Sequence, residues 1–145
     1  MSDHELVITD LQVRYGKAKA VDRVSIHARG GAVTAIVGPN GAGKSSLLLG
    51  AYGSVPSRGT VTVDGLDVSA MSAMQRARHG LAIVPQGRQL FPKLTVRENI
   101  QVMAELVKAP RSAVDKAMER FPVLVDRRNS LAGVLSGGEQ QMLVV

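Results

Sequence analysis

The chain has 145 residues, no cysteine and an apolar fraction of 45%, which suits a globular core and excludes a disulfide framework or a cysteine metal site. Its net charge is +6, but the basic residues are scattered along the chain. The sequence also has only four aromatic residues, which argues against a base-stacking nucleic-acid surface. No apolar run approaches the roughly 20 residues that span a bilayer, and the acidic start does not resemble a signal peptide. We therefore expect a cytoplasmic protein that reaches a membrane only through a partner.

The first part of the chain predicts three β-strands. Residues 6–13 alternate loosely between apolar and polar side chains, and residues 24–28 do so again before Gly30 and Gly31 end the run. Residues 32–37 are apolar and rich in β-branched side chains. Such a run favours a buried strand.

A glycine-rich loop follows the third predicted strand and precedes a helical segment that begins at Ser46. Strand, glycine loop and helix form the setting in which backbone N–H groups cradle phosphates. Lys44 is placed to reach the β- and γ-phosphates, and the Ser45 hydroxyl is placed to bind Mg²⁺. The loop therefore predicts an ATP–Mg²⁺ site, with the pattern G-x-x-x-x-G-K-S formed by Gly38, Pro39, Asn40, Gly41, Ala42, Gly43, Lys44 and Ser45.

The remaining elements mix strands and helices. Residues 60–63 predict a strand closed by an Asp64-Gly65 turn, and residues 81–84 predict a buried strand that Pro85 breaks. The order favours an α/β core in one domain over residues 1–145, with a small antiparallel β region near the N-terminus and a helical subdomain. Helices are predicted after the capping boxes Ser72–Gln75 (to about Gly80) and Thr95–Glu98 (to about Lys108, before Pro110), and over residues 112–121.

A second pattern that suits an anion lies near the end of the sequence, at Ser136, Gly137, Gly138 and Glu139. Ser-x-x-Glu is by itself a capping box, so an ordinary helix start explains it as well as a ligand site does. A serine hydroxyl and exposed N–H groups at a helix start would also hold an anion. The residues of this motif alone leave both interpretations open.

Taken together, these motifs resemble the ATP-binding subunits of ABC transporters, a type of P-loop NTPase, along nearly the whole chain. The closest similarity is to subunits for branched-chain amino acid uptake. Urea and short-amide importers share the Pro-Gln-Gly-Arg and Phe-Pro elements, so that substrate class stays open too. The resemblance is carried by residues 83–88 (IVPQGR), 90–99 (LFPKLTVREN) and 135–143 (LSGGEQQML).

The resemblance implies roles for residues outside the glycine loop. It places Tyr15 on the adenine ring, and it assigns Gln86 to Mg²⁺, to the attacking water and to sensing a permease. It makes residues 136–139 the signature that covers, in trans, the γ-phosphate of ATP held by a second ATP-binding subunit in a head-to-tail dimer. The other implied partners are transmembrane permease subunits and, indirectly, a periplasmic binding protein, with the chain peripheral on the inner face of the cell membrane.

One part of the family's pattern does not occur in the 145 residues. After the signature the family has four apolar residues and then Asp-Glu, which support Mg²⁺ and polarise the attacking water, and later a switch histidine. Residues 123–126 imitate this segment, but they precede the signature, and Arg127 stands where glutamate is needed. Residues 141–145 predict an apolar helix without a stop signal. We therefore expect a domain truncated after the signature and inactive alone.

Three functions are compatible with these observations. The chain could be the N-terminal part of a transport ATPase, a nucleotide-binding fragment without turnover, or a soluble ABC protein that acts on nucleic acid or ribosomes. A single phosphate loop, the lack of a long insertion and the importer-like residues 86–99 argue against the third function.

Overall fold

An antiparallel sheet lies in the first of the two compact units of this computed structural model, which describes residues 4–87 and 90–145. The first unit ends at Ile83, and the second runs from Val84 to Val145. The antiparallel β region predicted near the N-terminus is confirmed. Its strands lie in the order β2-β1-β3-β4 and span Glu5–Tyr15 (β1), Ala18–Arg29 (β2), Ser57–Val63 (β3) and Leu66–Asp67 (β4).

The predicted turn between β3 and β4 forms at Asp64 and Gly65. Their φ angles of 51° and 76° are both left-handed, as a two-residue type I′ hairpin turn requires. The Asp64 carboxylate also accepts a hydrogen bond from the Glu5 amide at 2.8 Å and lies 2.7 Å from Nδ1 of His4. The turn therefore ties the end of β3 to the start of β1.

A bulge in β1 decides which side chains reach the core. The pairing with β2 shifts register between Ile8 and Leu11, and Asp10 has a φ of 50°. Strict alternation would place Ile8 and Leu11 on opposite faces, whereas the bulge lets both be buried together with Val13. β3 comes close to the bulge at Gly59, where a Cβ would lie 2.7 Å from the Asp10 carbonyl oxygen.

Helix α1, Lys44–Tyr52, packs on this sheet. Gly50 is buried at the contact, and a Cβ there would lie 2.6 Å from Cγ2 of Val13 in β1. The absent side chain lets the backbone of α1 approach the sheet closely. The core beneath the helix contains Leu47 and Ala51 of α1 with Leu11, Val13 and Val61 of the sheet.

Two predicted strands do not form. Residues 32–37 and 81–84 belong to no strand, although we expected both to be buried. Val33 is 98% exposed, Val37 88% and Val84 46%. A β-branched sequence favours extended backbone, but a strand also needs a neighbour to complete its ladder of hydrogen bonds. Within the described ranges no strand pairs with either segment, so the prediction was wrong for a tertiary reason.

Helix α2, Ala73–Arg78, begins and ends at the predicted signals. The Ser72 hydroxyl accepts from the Gln75 amide, and the Gln75 side chain accepts from the Ser72 amide at 2.9 Å. Gly80 follows the helix with a φ of 91°, and its amide donates to the Ala77 carbonyl at 3.1 Å. The capping box and the terminating glycine are both confirmed.

The second unit is helical, as the sequence predicted. Its buried centre contains Val96, Leu124 and Leu135. The residues that imitate an apolar strand, 123–126, lie in a helix. The helices are α3 (Val96–Leu106), α4 (Ser112–Glu119), α5 (Pro122–Asp126) and α6 (Gly137–Val144), with a 3-10 helix over Ala132–Val134.

Helix α3 shows how local signals set its ends. Thr95 and Glu98 form the predicted capping box, in which the Glu98 carboxylate accepts from the Thr95 amide at 2.7 Å. The helix stops at Leu106, before the predicted end, because Lys108 adopts a left-handed φ of 58° that a helix cannot contain.

Candidate nucleotide-binding site

The glycine loop leads directly into α1, as the sequence predicted. Gly41 and Gly43 have φ angles of 83° and 89°, a region that favours glycine. A Cβ on Gly43 would also lie 2.2 Å from the carbonyl oxygen of Ala20 in β2. Gly43 is therefore required both by its backbone conformation and by the close contact that fixes the start of α1 against β2.

The first turn of α1 presents free backbone donors. Gly43 is the N-cap but supplies no side-chain hydrogen bond, and no acidic residue lies in the first turn. In the described part of the chain, the amides of Lys44, Ser45 and Ser46 donate to no backbone carbonyl. Such amides at a helix start, together with the helix dipole, attract an anion.

The ammonium group of Lys44 lies within the loop. Its Nζ donates to the carbonyl oxygens of Gly38 at 2.8 Å and Pro39 at 2.7 Å. Both acceptors are uncharged, and among the described residues no carboxylate forms an ion pair with Lys44. A positive charge without a counter-charge thus stands beside the free amides, and these residues fit the phosphate chain of a nucleotide.

Tyr15 lies at the same end of the first unit as the glycine loop. It ends β1, pairs with Ala18 across the Gly16-Lys17 turn, and is 48% exposed. Ala20, which contacts Gly43, is two positions further along β2, or about 7 Å from Ala18. Tyr15 is therefore an exposed residue whose partner in β2 lies two positions from the residue next to Gly43, and its place on adenine remains a prediction.

Gln86 belongs to the second unit, where it is exposed at a bend after Pro85. The segment before it forms no strand, contrary to expectation. Arg88, the last residue of the 83–88 stretch that carries the resemblance, lies outside the described residues. The roles predicted for Gln86 toward Mg²⁺ and water remain predictions.

Ser136 is the N-cap of α6 in the second unit. Its hydroxyl accepts from the Glu139 amide at 3.3 Å, and its amide donates to Glu139 Oε2 at 2.7 Å. The pKa of Glu139 is held below its usual range, mainly by the hydrogen bond from the Ser136 amide and secondly by the Ser136 hydroxyl. Nε of Arg127 lies 3.6 Å from the same carboxylate. The capping box therefore exists, and the ligand role of Ser136, Gly137, Gly138 and Glu139 remains a prediction.

Two buried polar side chains were not expected from the sequence. Asn99 of α3 is 5% exposed; its Nδ2 donates to the carbonyls of Phe91, Leu94 and Thr95, and its Oδ1 accepts from the Phe91 amide at 2.9 Å. Arg76 of α2 is 3% exposed, and among the described residues its hydrogen-bond acceptors are all backbone carbonyls. The helical spacing of Asn99 from Val96 could have placed it on the buried face, but no sequence signal singles out Arg76.

A sequence model of the ABC transporter family matches residues 21–145, which include the glycine loop and residues 136–139. The chain belongs to the ABC transporter family. The predicted family and the predicted α/β fold of an ABC cassette are thereby confirmed. Within residues 4–87 and 90–145, the ABC cassette contains no helix with the length and apolar character needed to cross a membrane.

Relatives of this ABC cassette serve different substrates. The high-affinity branched-chain amino acid transport ATP-binding protein BraG of Pseudomonas aeruginosa is 37% identical over 134 residues, covering 90% of this chain and 58% of BraG. The hemin import ATP-binding protein HmuV of Vibrio cholerae is 36% identical over 137 residues, covering 92% of this chain and 52% of HmuV. The chain spans about half the length of the curated relatives it matches.

A solved structure supports the same assignment. The ADP conformation of an ATP-binding cassette of an ABC transporter superimposes with a TM-score of 0.78 at 27% sequence identity. The match covers 97% of this chain and 62% of the solved chain.

Proposed function

We propose that this ABC cassette is the ATP-binding part of an import complex for branched-chain amino acids, and that it binds ATP–Mg²⁺ at the glycine loop. The observation that carries the proposal is the cluster of free amides at Lys44, Ser45 and Ser46 beside an ammonium group that no carboxylate neutralises within the described residues. The substrate class is supported by the similarity to BraG and to a probable branched-chain amino acid transport ATP-binding protein of Archaeoglobus fulgidus.

Each part of the nucleotide has a candidate partner in this proposal. The loop amides and Lys44 bind the phosphates, and the Ser45 hydroxyl and the Gln86 side chain bind Mg²⁺. The aromatic ring of Tyr15 stacks on adenine. The metal ion supplies charge neutralisation along the phosphate chain. The phosphate-binding residues are Gly38, Pro39, Asn40, Gly41, Ala42, Gly43, Lys44, Ser45 and Ser46.

The proposed partners follow from the same assignment. Residues 136–139 would cover ATP bound to a second ATP-binding subunit, and permease subunits would hold the pair at the inner face of the cell membrane. A periplasmic binding protein would deliver the amino acid to the permease. The amides of Gly137 and Gly138 at the start of α6 donate to no backbone carbonyl within the described residues, which suits the first of these contacts.

Replacing Lys44 tests nucleotide binding. A charge-assisted contact contributes about 1.5–3 kcal/mol, so Lys44→Ala should weaken the binding of a fluorescent ATP analogue by about 10- to 150-fold. The matched control is Lys116→Ala, which removes the same charge from an exposed position of α4. Titration of the folded proteins decides the matter: equal affinity for wild type and Lys44→Ala would refute the site.

Two substitutions of Tyr15 test adenine stacking. Because stacking on an aromatic ring contributes about 1–3 kcal/mol per base, Tyr15→Ala should weaken ATP binding by about 5- to 150-fold. Tyr15→Phe keeps the aromatic face and should bind almost as wild type does. A phenylalanine variant as weak as the alanine variant would exclude stacking as the role of this ring.

We also infer that a polypeptide of residues 1–145 turns over no ATP, since no Asp-Glu pair follows an apolar strand within it. Its phosphate release should equal that of its Lys44→Ala variant. Release that is clearly above background and is abolished by Lys44→Ala would contradict the inference, because the activity would then belong to this polypeptide.

The substrate class is tested by uptake in host cells that lack the gene. Loss of the gene should lower the uptake of labelled leucine and leave the uptake of labelled urea unchanged. The wild-type gene should restore leucine uptake, and the Lys44→Ala gene should not. A defect in urea uptake instead would assign the chain to the alternative class of urea and short-amide importers.

A further inference from the structure

Arg76 lies in the first unit as a buried cation whose hydrogen bonds, within the described residues, all go to backbone oxygens. Its Nε donates to the Met71 carbonyl at 3.1 Å and its Nη2 to the Ser69 carbonyl at 2.7 Å. Its Nη1 donates to the carbonyls of Ala51 and, at 3.3 Å, Gly50. Within the described residues no carboxylate forms an ion pair with the guanidinium.

The carbonyls that accept from Nη1 of Arg76, those of Gly50 and Ala51, belong to the last turn of α1. The carbonyls in the last turn of a helix have no partner within the helix, and they carry the negative end of its dipole. The amide of Gly53 donates to the Leu49 and Gly50 carbonyls, and Arg76 reaches the Ala51 carbonyl. Arg76 therefore supplies both a hydrogen-bond donor and a favourable charge at the C-terminal end of α1.

The surroundings leave the guanidinium little freedom. A Cβ on Gly53, which has a left-handed φ of 86°, would lie 3.1 Å from Nε and 3.2 Å from Cζ of Arg76. Met71 and Ser69 hold the other edge of the planar group, so Arg76 joins the end of α1 to the segment between β4 and α2. A planar fork of donors suits this fixed set of oxygens better than a single ammonium does.

Helix α1 is thus held at both ends. Gly43 packs against the carbonyl of Ala20 at its start, and Arg76 binds the carbonyls at its end. The helix has nine residues, or a length of about 13 Å, and behaves as a rigid rod over that distance. A shift of its C-terminal end therefore changes the direction in which the free amides of its first turn point.

We propose that Arg76 is a positioning residue for the phosphate-binding loop: it holds the last turn of α1 and so aims the amides of the first turn at the phosphates. The inference rests on the proposed binding of ATP at the glycine loop. Arg76 touches no part of the nucleotide. Its effect reaches the β- and γ-phosphates through α1, and the base and the sugar do not depend on it.

The expected signature is a loss of selectivity for the longer phosphate chain. Fluorescent analogues of ATP and AMP carry the same base and sugar and differ in the phosphates that the amides of α1 receive. Arg76→Ala should weaken binding of the ATP analogue by about tenfold and binding of the AMP analogue by less than about threefold. The matched control is Arg58→Ala, which removes an exposed arginine of β3 and should change neither affinity.

Two further arms separate positioning from a general loss of structure. Arg76→Lys keeps the charge but reaches fewer of the four carbonyls, so its ATP-to-AMP affinity ratio should lie between those of wild type and Arg76→Ala. Millimolar ethylguanidinium, which can enter the space left in Arg76→Ala, should raise the ratio toward the wild-type value. If Arg76→Ala does not fold, the same titrations of Arg76→Lys decide the question.

An unchanged ATP affinity in a folded Arg76 variant, or an equal loss for both analogues, would overturn the positioning role. Failure of the proposed function gives a different pattern, because the wild type and Lys44→Ala would then bind the ATP analogue equally well. The two failures can therefore be told apart in one set of titrations.

Discussion

Gly50→Ala tests the close packing of α1 on β1. In most helices this change is stabilising, since alanine favours helix over glycine by about 0.8–1.0 kcal/mol. Here the new Cβ would lie 2.6 Å from Cγ2 of Val13 and 3.4 Å from Cδ2 of Leu11 and Cβ of Ser57. The steric effect and the propensity effect therefore have opposite signs at this position.

The magnitudes decide which effect is larger. Adding a methyl group to a closely packed contact costs about 1–3 kcal/mol, because side chains leave their rotamers or the backbone shifts. After the gain in helix propensity, Gly50→Ala should lower the free energy of unfolding by up to about 2 kcal/mol. Val13 is fully buried, so the neighbour that must move has little room.

Chemical denaturation followed by circular dichroism measures the change in the free energy of unfolding. The control is Gly138→Ala in α6, where nothing lies within 4 Å of the new Cβ, so the substitution should stabilise by up to about 1 kcal/mol. The decisive variant is Gly50→Ala in a Val13→Ala background. Removing Cγ2 of Val13 removes the closest contact, so Gly50→Ala should become neutral or stabilising there.

The reasoning would be refuted by a Gly50→Ala protein that is more stable than wild type by the full gain in helix propensity, about 0.8–1.0 kcal/mol. The same conclusion would follow if the effect of Gly50→Ala were identical with and without Val13→Ala. Either result would mean that α1 lies further from β1 than the structure places it.

Three more predictions concern stability and aggregation. Asn99→Ala should lower the free energy of unfolding, measured in urea, by about 1–3 kcal/mol. Asn99→Asp should lower it further, because a carboxylate oxygen would then face the three carbonyls to which Nδ2 of Asn99 donates. The pKa of Asp64 lies below its ordinary value, mainly because its carboxylate accepts a hydrogen bond from the Glu5 amide. The resulting stability is therefore present above about pH 4 and is lost as the pH falls through the folded pKa, and Asp64→Asn should flatten this acid limb in melting curves. Val33→Thr combined with Val37→Thr should reduce light scattering on heating without lowering the melting temperature, since both side chains are exposed.

Local signals were sufficient for the helix starts and for the glycine loop. The capping boxes that begin at Ser72, Thr95 and Ser136 all form, because each joins residues three positions apart and needs no distant partner. The glycine loop likewise carries its own requirements, with left-handed φ angles at Gly41 and Gly43. The family assignment rests on these short stretches, so the sequence was enough to reach it.

Tertiary structure alone decided the features that depend on distant neighbours. Residues 32–37 have the composition of a buried strand, yet no described strand pairs with them, and of the six only Ile36 is partly buried against the core. Arg76 is one of eighteen basic residues, and the sequence does not tell which of them is buried. Its partners include carbonyls from 25 and 26 positions earlier in the chain. Every residue has the same backbone carbonyl, so the sequence does not show which carbonyls will accept hydrogen bonds from Arg76. Only the folded chain determines those acceptors, and with them which end of α1 the guanidinium binds.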